Sequence, residues 1–330
     1  MDDQRQPIGR ETEFQRLVTI LDQSSHNPAG VVAVVGTAGI GKSTLLRDVA
    51  AAATERGFVT GWGFASELEG APPLWSWYEA ITDVDPDQSV ISWIDDAQSL
   101  EPQERIELFR AIADWLATQA ATAPTVLILE DLHAADDTTV DLLAYISRRP
   151  MPKGLVLLTS TRDATAGDDR IRGPQLVLSG LSIAEAQALA RSLQVDLDES
   201  RAAALVHRTN GNPFFIQRLL EQGADRTQLP SDVNALLREQ LDELDHDQRT
   251  SATALAVLGT SAPTHLVRRL LNRAFDSAAG RTEAPSVFRR ADGTIEFRHA
   301  LLREVIYTDL PAEERSRPVS YTHLRAHETA

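Results

Sequence analysis

Apolar residues along this chain alternate between helical spacing and short continuous runs. Phe14, Leu17, Val18 and Leu21 recur at helical intervals and predict an amphipathic helix before residue 25. A Ser/Asn/Pro stretch (SSHNPAG) follows, and then Val31-Val32-Ala33-Val34-Val35, a short continuous run bounded by glycines. Such a run fits a strand buried on both faces, as in parallel sheets. A helical stretch runs to Arg56 and stops at Gly57, a good C-terminal cap, and residues 58–62 read as a second strand. Residues 67–119 are mostly helical between Pro72-Pro73, Pro86 and Pro102, and hold Trp75, Trp77, Trp93 and Trp115, read as packed core. Val126-Leu127-Ile128-Leu129 is a third strand, residues 155–158 a fourth, and residues 175–178 can supply a fifth. Val140, Leu143, Ala144 and Ser147 mark the crossover helix that parallel neighbours need. Alternating strands and helices predict an α/β, doubly wound parallel sheet.

From Leu181 the spacing is helical only. Ser182 and Glu185 form a capping box, and two more helical stretches end near Gln222. After a polar break at residues 223–231, helices are expected at 233–244, 251–258 and 265–271. Residues 286–290 and 294–298 flank Ala291-Asp292-Gly293, a hairpin signal. Three helices with a hairpin suggest a winged-helix-like module. The expected organisation is a polar tail at 1–7, an α/β domain at 8–179, a helical lid at 180–230 and the winged-helix-like domain at 231–317. Residues 318–329 (PVSYTHLRAHET) match the translation of a widely used transposase sequencing adapter, so residues 318–330 are expected to be an artefact and the natural protein to continue.

With no cysteine there is no disulfide, thiolate metal site or cysteine nucleophile. The polar start and the absence of a long apolar run point to a cytoplasmic chain without membrane contact. The net charge of −16 is unlike a duplex-binding surface, and Arg268-Arg269 and Arg289-Arg290 read as solvated faces.

Chemistry enters at GTAGIGKST: Gly36, Thr37, Ala38, Gly39, Ile40, Gly41, Lys42, Ser43 and Thr44. This is G-x-x-x-x-G-K-[ST], the Walker A pattern, with the strand before it and the helix after it that the mechanism requires. Its glycines let successive backbone N–H groups face phosphate oxygens, and the helix N-terminus adds its dipole. Lys42 is expected on the β- and γ-phosphates of ATP, and Ser43 on Mg²⁺. The strand TVLILE ends in Glu130 and Asp131, one carboxylate for the metal shell and one for the attacking water, with either assignment open. Arg162 follows the fourth strand, beside the expected γ-phosphate. No arginine finger is identifiable; Arg148 and Arg149 are the nearest candidates.

IGRETEFQRLVTIL, LEDLHAADDTTVDLL, TNGNPFFIQRLL, LPSDVNALLREQLDEL and FRHALLREVIYTDLP together resemble the AAA-like STAND ATPases, most of all the large ATP-binding LuxR-type transcriptional regulators of bacteria. The resemblance spans nearly all of residues 8–317. It implies a switch that rests with ADP clamped between its domains, hydrolyses ATP slowly, and self-associates once an inducer and ATP open it. It implies that Pro213 packs on the nucleotide base and that His299 reaches the β-phosphate of ADP. His133 and Asp136 match the family's segment after the acids, whereas most relatives have tryptophan at Ala134 and aspartate at Glu130. Sensor and DNA-binding domains would lie beyond this chain, so DNA is met only through them. The competing readings are a working AAA-type ATPase of the origin-recognition kind, a small-molecule kinase, and the same switch joined to another effector such as a nucleotide cyclase.

Overall fold

The structure is a computed structural model, and it describes residues 7–65, 72–85, 94, 102–162, 170–223, 229–264, 267, 288–291 and 294–310. The expected adapter segment, the turn at Asp292-Gly293, Trp93 and most of the helix expected at 265–271 lie outside them. The chain divides into two compact units, residues 1–179 and 180–330.

The first unit opens with α1 (Glu11–Ser24), whose Leu17, Val18 and Leu21 are buried as their spacing requires. Then come β1 (Gly30–Val35), α2 (Lys42–Glu55), β2 (Val59–Phe64), α3 (Trp75–Thr82), α4 (Pro102–Thr122), β3 (Thr125–Glu130), α5 (Asp137–Ser147), β4 (Leu155–Thr161) and β5 (Gln175–Val177). The strands pair in the order β2-β3-β4-β1-β5, and every pairing is parallel. Alternation within the apolar runs sends Val32, Val34, Val126, Ile128, Val156 and Leu158 to one face, where they meet α1 and α2. Val31, Leu127, Leu129, Leu155 and Leu157 go to the other, against α3, α4 and α5. From β1 the chain crosses to the far edge at β2, whereas from β4 it returns past β1 to β5. The reversal opens a crevice at the carboxyl ends of β1 and β4, the expected place for a ligand.

Two glycines in β2 let α3 lie on it: a Cβ at Gly61 would stand 2.0 Å from the Ala80 carbonyl oxygen, and one at Gly63 1.8 Å from that of Ser76. The carboxylates of Asp83, just past α3, and Glu79, within it, accept from the backbone N–H groups of Trp62 and Phe64 at 3.0 and 2.9 Å, which occupies donors on this edge strand. Trp77 is fully buried and donates to the Thr139 carbonyl, as packed core should. Trp75 departs from that expectation: it is 38% exposed and stacks on Tyr78 with ring centroids 5.2 Å apart.

In the second unit α6 (Ile183–Ser192), α7 (Glu199–Thr209) and α8 (Pro213–Gln222) enclose an apolar cluster that includes Leu181, Ala186, Leu205, Ile216 and Leu220. The Ser182/Glu185 capping box is formed in both directions. Helices α9 (Ser231–Asp242) and α10 (His246–Leu258) follow, then β6 (Ser261–Pro263), β7 (Phe288–Ala291), β8 (Thr294–Phe297) and α11 (Ala300–Asp309). The two strands expected as a hairpin pair antiparallel, and β6 adds a third strand on the other side of β8. Helix α10 starts five residues before the expected Ser251, because Asp245 and Gln248 form a second capping box.

Candidate functional site

The loop after β1 is shaped by its glycines and anchored by one apolar side chain. Gly39 and Gly41 have φ of 74° and 101°, a region that side chains with a Cβ seldom enter. Ile40 turns inward and is buried with the α2 face of the sheet, while the Gly36 amide donates to the Thr161 carbonyl at 3.1 Å. Helix α2 then begins with no side-chain cap and no carboxylate in its first turn. By contrast, α5, α6, α7, α8 and α10 each begin under an Asp, Ser or Asn cap. The uncapped amides and the helix dipole of α2 favour an anion at this end.

Lys42 is 7% exposed, and its ammonium donates to the carbonyls of Gly36 at 2.8 Å and Thr37 at 3.2 Å, across the mouth of the loop. Burial lowers its pKa; Asp131 opposes the shift and Arg162 adds to it, which places both side chains in the electrostatic reach of the ammonium. Ser43, one residue on, hydrogen-bonds through its hydroxyl to Oε2 of Glu130. Glu130 is 1% exposed, and its other oxygen, Oε1, accepts from the indole N–H of Trp62 at 3.1 Å. Desolvation raises the Glu130 pKa, and the hydrogen bonds from Ser43 and Trp62 pull against that rise.

Asp131 differs in every respect from its neighbour. Its backbone is left-handed, with φ of 58°, and its amide donates to the Ser160 hydroxyl at 3.0 Å. Its carboxylate is 45% exposed and 3.8 Å from Nδ1 of His133. Ser43 and Glu130 together supply the hydroxyl and carboxylate oxygens that a Mg²⁺ ion accepts, and one or two such protein ligands are what Mg²⁺ uses when phosphates complete its shell. The residues present therefore fit the ion that the loop implies.

Residues 6–158 match the family model described as AAA ATPase domain. This stretch is an AAA-type P-loop ATPase domain. The chain is 16% identical to the Walker-type ATPase PABY2304 of Pyrococcus abyssi, with 91% of this chain and 95% of that one aligned at a TM-score of 0.61, a likeness of fold. A STAND protein with a tetratricopeptide repeat sensor, PH0952 from Pyrococcus horikoshii, aligns with 91% of this chain and 42% of its own at 19% identity and a TM-score of 0.43. An uncharacterized protein of Rhizobium meliloti (strain 1021) is 25% identical over 93% of this chain, which spans 36% of that relative's length. No helix among the described residues is long and apolar enough to cross a membrane.

The AAA domain contains two residues that sequence spacing does not single out. One is Trp62. The other is Arg10, 6% exposed, whose guanidinium donates to the carbonyls of Ile40 at 3.0 Å and Ser179 at 2.6 Å and lies 3.4 Å from Glu13. Arg10 thus ties the phosphate loop to the end of the first unit, through contacts 30 and 169 residues apart in sequence. Removing it leaves two carbonyls short of a charged donor, so Arg10→Ala should lower stability by about 2 kcal/mol. Urea unfolding would show this as a lower midpoint at unchanged slope, and ATP affinity should fall with it because Ile40 is no longer held.

Pro213 and His299 belong to the second unit. TNGNPF folds by local rules: Asn210 and Gly211 are left-handed, with φ of 50° and 70°, and end α7, and Asn212 caps α8 through the amides of Phe214 and Phe215. Pro213 takes the first helical position, where its missing N–H costs nothing, and is half-buried. His299 precedes α11, is 5% exposed and meets Phe215 edge-on with centroids 5.0 Å apart. Its Nδ1 is buried with no hydrogen-bond partner among the described residues, and burial, with Arg298 nearby, pushes its pKa down to about 3. A folded pKa below the unfolded value of 6.5 means that unfolding takes up a proton, so stability is fully present above pH 6.5 and is lost as pH falls toward 3. Between pH 7.5 and 5 the wild type should lose about 2 kcal/mol that His299→Gln does not. Denaturant titrations of both chains at the two pH values would show it.

Proposed function

We propose that the chain is the ATP/ADP-dependent switch module of a larger signalling protein, of the STAND type found in LuxR-type transcriptional regulators, binding ATP–Mg²⁺ and hydrolysing it slowly. The observation that carries the nucleotide part is the convergence of Lys42, Ser43 and Glu130 at the ends of β1 and β3. In this reading the loop amides and the α2 N-terminus hold the phosphates of the nucleotide, and Lys42 exchanges its loop carbonyls for β- and γ-phosphate oxygens. When bound, Mg²⁺ neutralises charge on those oxygens. Ser43 and Glu130 would hold the ion, which leaves Asp131, nearly half exposed, to orient the attacking water and accept its proton. Water oxygen bonds to the γ-phosphorus as the bond to the bridging oxygen of the departing ADP breaks, and Arg162 stabilises the charge that spreads over the phosphoryl oxygens.

The switch part rests on the second unit. Phe215 on α8 packs on His299, and Arg208 on α7 holds Glu304 on α11 through two bonds of 2.7 Å each. Pro213 and His299, which the family resemblance assigns to the base and the β-phosphate, are therefore carried by one packed body and would engage or leave the nucleotide together. The proposed helical lid at 180–230 and winged-helix-like domain at 231–317 act in this scheme as a single arm. Self-association in the ATP state, an inducer, and DNA contact through domains beyond this chain complete the proposal. The test is the nucleotide content of the purified protein together with its steady-state ATPase rate. Retained ADP with turnover far below the typical enzyme value of about 10 s⁻¹ supports the switch. An empty site with brisk turnover would move the assignment to a working ATPase.

A further inference from the structure

Glu130 stands where an aspartate is usual in the resembling family, and it is held by two donors from opposite sides. Strand β2 runs parallel to β3 with Trp62 opposite Ile128 and Phe64 opposite Glu130. Trp62 and Glu130 therefore share the α2 face of the sheet, and the indole reaches along that face to Oε1 while Ser43 holds Oε2. The backbone on both sides is fixed too, since the Ala65 amide donates to the Glu130 carbonyl at 3.0 Å and the Asp83 carboxylate takes the Trp62 amide.

We propose that Trp62 is a positioning residue for the metal-facing carboxylate: its indole N–H restrains Oε1 of Glu130 so that Oε2 is the oxygen presented to Ser43 and to Mg²⁺. This rests on the reading of the site as an ATP–Mg²⁺ centre. An indole suits the task because it is a donor with no acceptor atom, so it cannot itself ligate the ion. Its apolar body is packed with the α2 face of the sheet, beside the carboxylate that it restrains. The length of the side chain at 130 has a reason in the same geometry. An aspartate would draw the carboxylate back by about 1.5 Å, one C–C bond, and could not satisfy Trp62 and Ser43 together.

Trp62→Phe keeps an aromatic ring and removes the donor. Outer-shell partners of this kind are typically worth 10- to 100-fold in metal affinity. The expected result is a rise of about tenfold in the Mg²⁺ concentration that half-saturates Mg²⁺-dependent ATP binding, with ATP binding in excess chelator unchanged. In a Glu130→Asp background the same substitution should be silent, because the shorter carboxylate no longer meets the indole. An unshifted Mg²⁺ midpoint in Trp62→Phe overturns the proposal, and so does an equal shift in the Glu130→Asp background, which would make the indole a packing group only. Should Trp62→Phe fail to fold, Glu130→Asp alone gives the second measurement. Loss of the carboxylate contact should change the tryptophan emission of the folded chain, and identical spectra would overturn the assignment. A wild-type chain that binds no ATP at any Mg²⁺ concentration would remove the site reading itself, a result distinct from all of these.

Discussion

Lys42→Ala should abolish measurable ATP binding. The ammonium is buried and bonded to the two carbonyls that open the loop, so it is already desolvated, and in the proposed site it exchanges those carbonyls for phosphate oxygens. Breaking a buried, charge-assisted contact of this type costs about 3–5 kcal/mol, which is more than 100-fold in Kd. Isothermal titration of ATP–Mg²⁺ into the purified variant measures it. Lys42→Met, which keeps the stem that packs in the loop, separates the charge from the packing: it should lose binding as fully while remaining folded. Wild-type affinity in either variant would remove the phosphate-loop assignment.

Asp131→Asn should act in the opposite way, leaving nucleotide bound and stopping its turnover. The two acids at the end of β3 are adjacent in sequence yet are set in unlike surroundings. Glu130 is sealed between Ser43 and Trp62, whereas Asp131 is nearly half exposed and near Lys42. The amide keeps the size and removes the proton acceptor, and general-base catalysis of this kind contributes about 10²–10⁴-fold. Single-turnover hydrolysis of bound ATP should therefore slow by at least about 100-fold with the Kd for ATP within about twofold of wild type. Equal turnover in the two proteins would assign the base elsewhere, and a lost Kd would return Asp131 to the metal shell.

Local rules made much of this architecture readable. Continuous apolar runs mark β1, β3 and β4, ending in Gly36, in Glu130-Asp131 and in Thr159-Ser160-Thr161, since strands covered on both faces keep apolar residues at successive positions. The phosphate loop is legible because its chemistry is contiguous: backbone amides, lysine and serine come from nine consecutive residues. The Ser182 cap is legible for the same reason, whereas helical spacing alone puts the start of α10 at Ser251 and misses the identical Asp245/Gln248 pattern as a cap. Arg10 and Trp62 could not be found in this way. Each acts on a partner brought near only by the fold, at separations of 169 and 68 residues, and nothing in a lone arginine or tryptophan marks the distant carbonyl or carboxylate. Neither β6 nor α11 stood out. Three strand residues show no period, and α11 owes its position to packing of Leu301, Leu302 and Val305 on α9, α10 and the small sheet.

The packing of α3 on β2 bears on how copies of this chain can meet. Exposed strand edges are templates for pairing with another molecule. Here one edge of the five-stranded sheet has N–H groups already given to Asp83 and Glu79, and the other is β5, only three residues long. Strand exchange between molecules is disfavoured at both borders, so the sheet resists growing into a fibre. Contacts between copies made through this five-stranded sheet are therefore left to side-chain surfaces rather than to a shared backbone ladder.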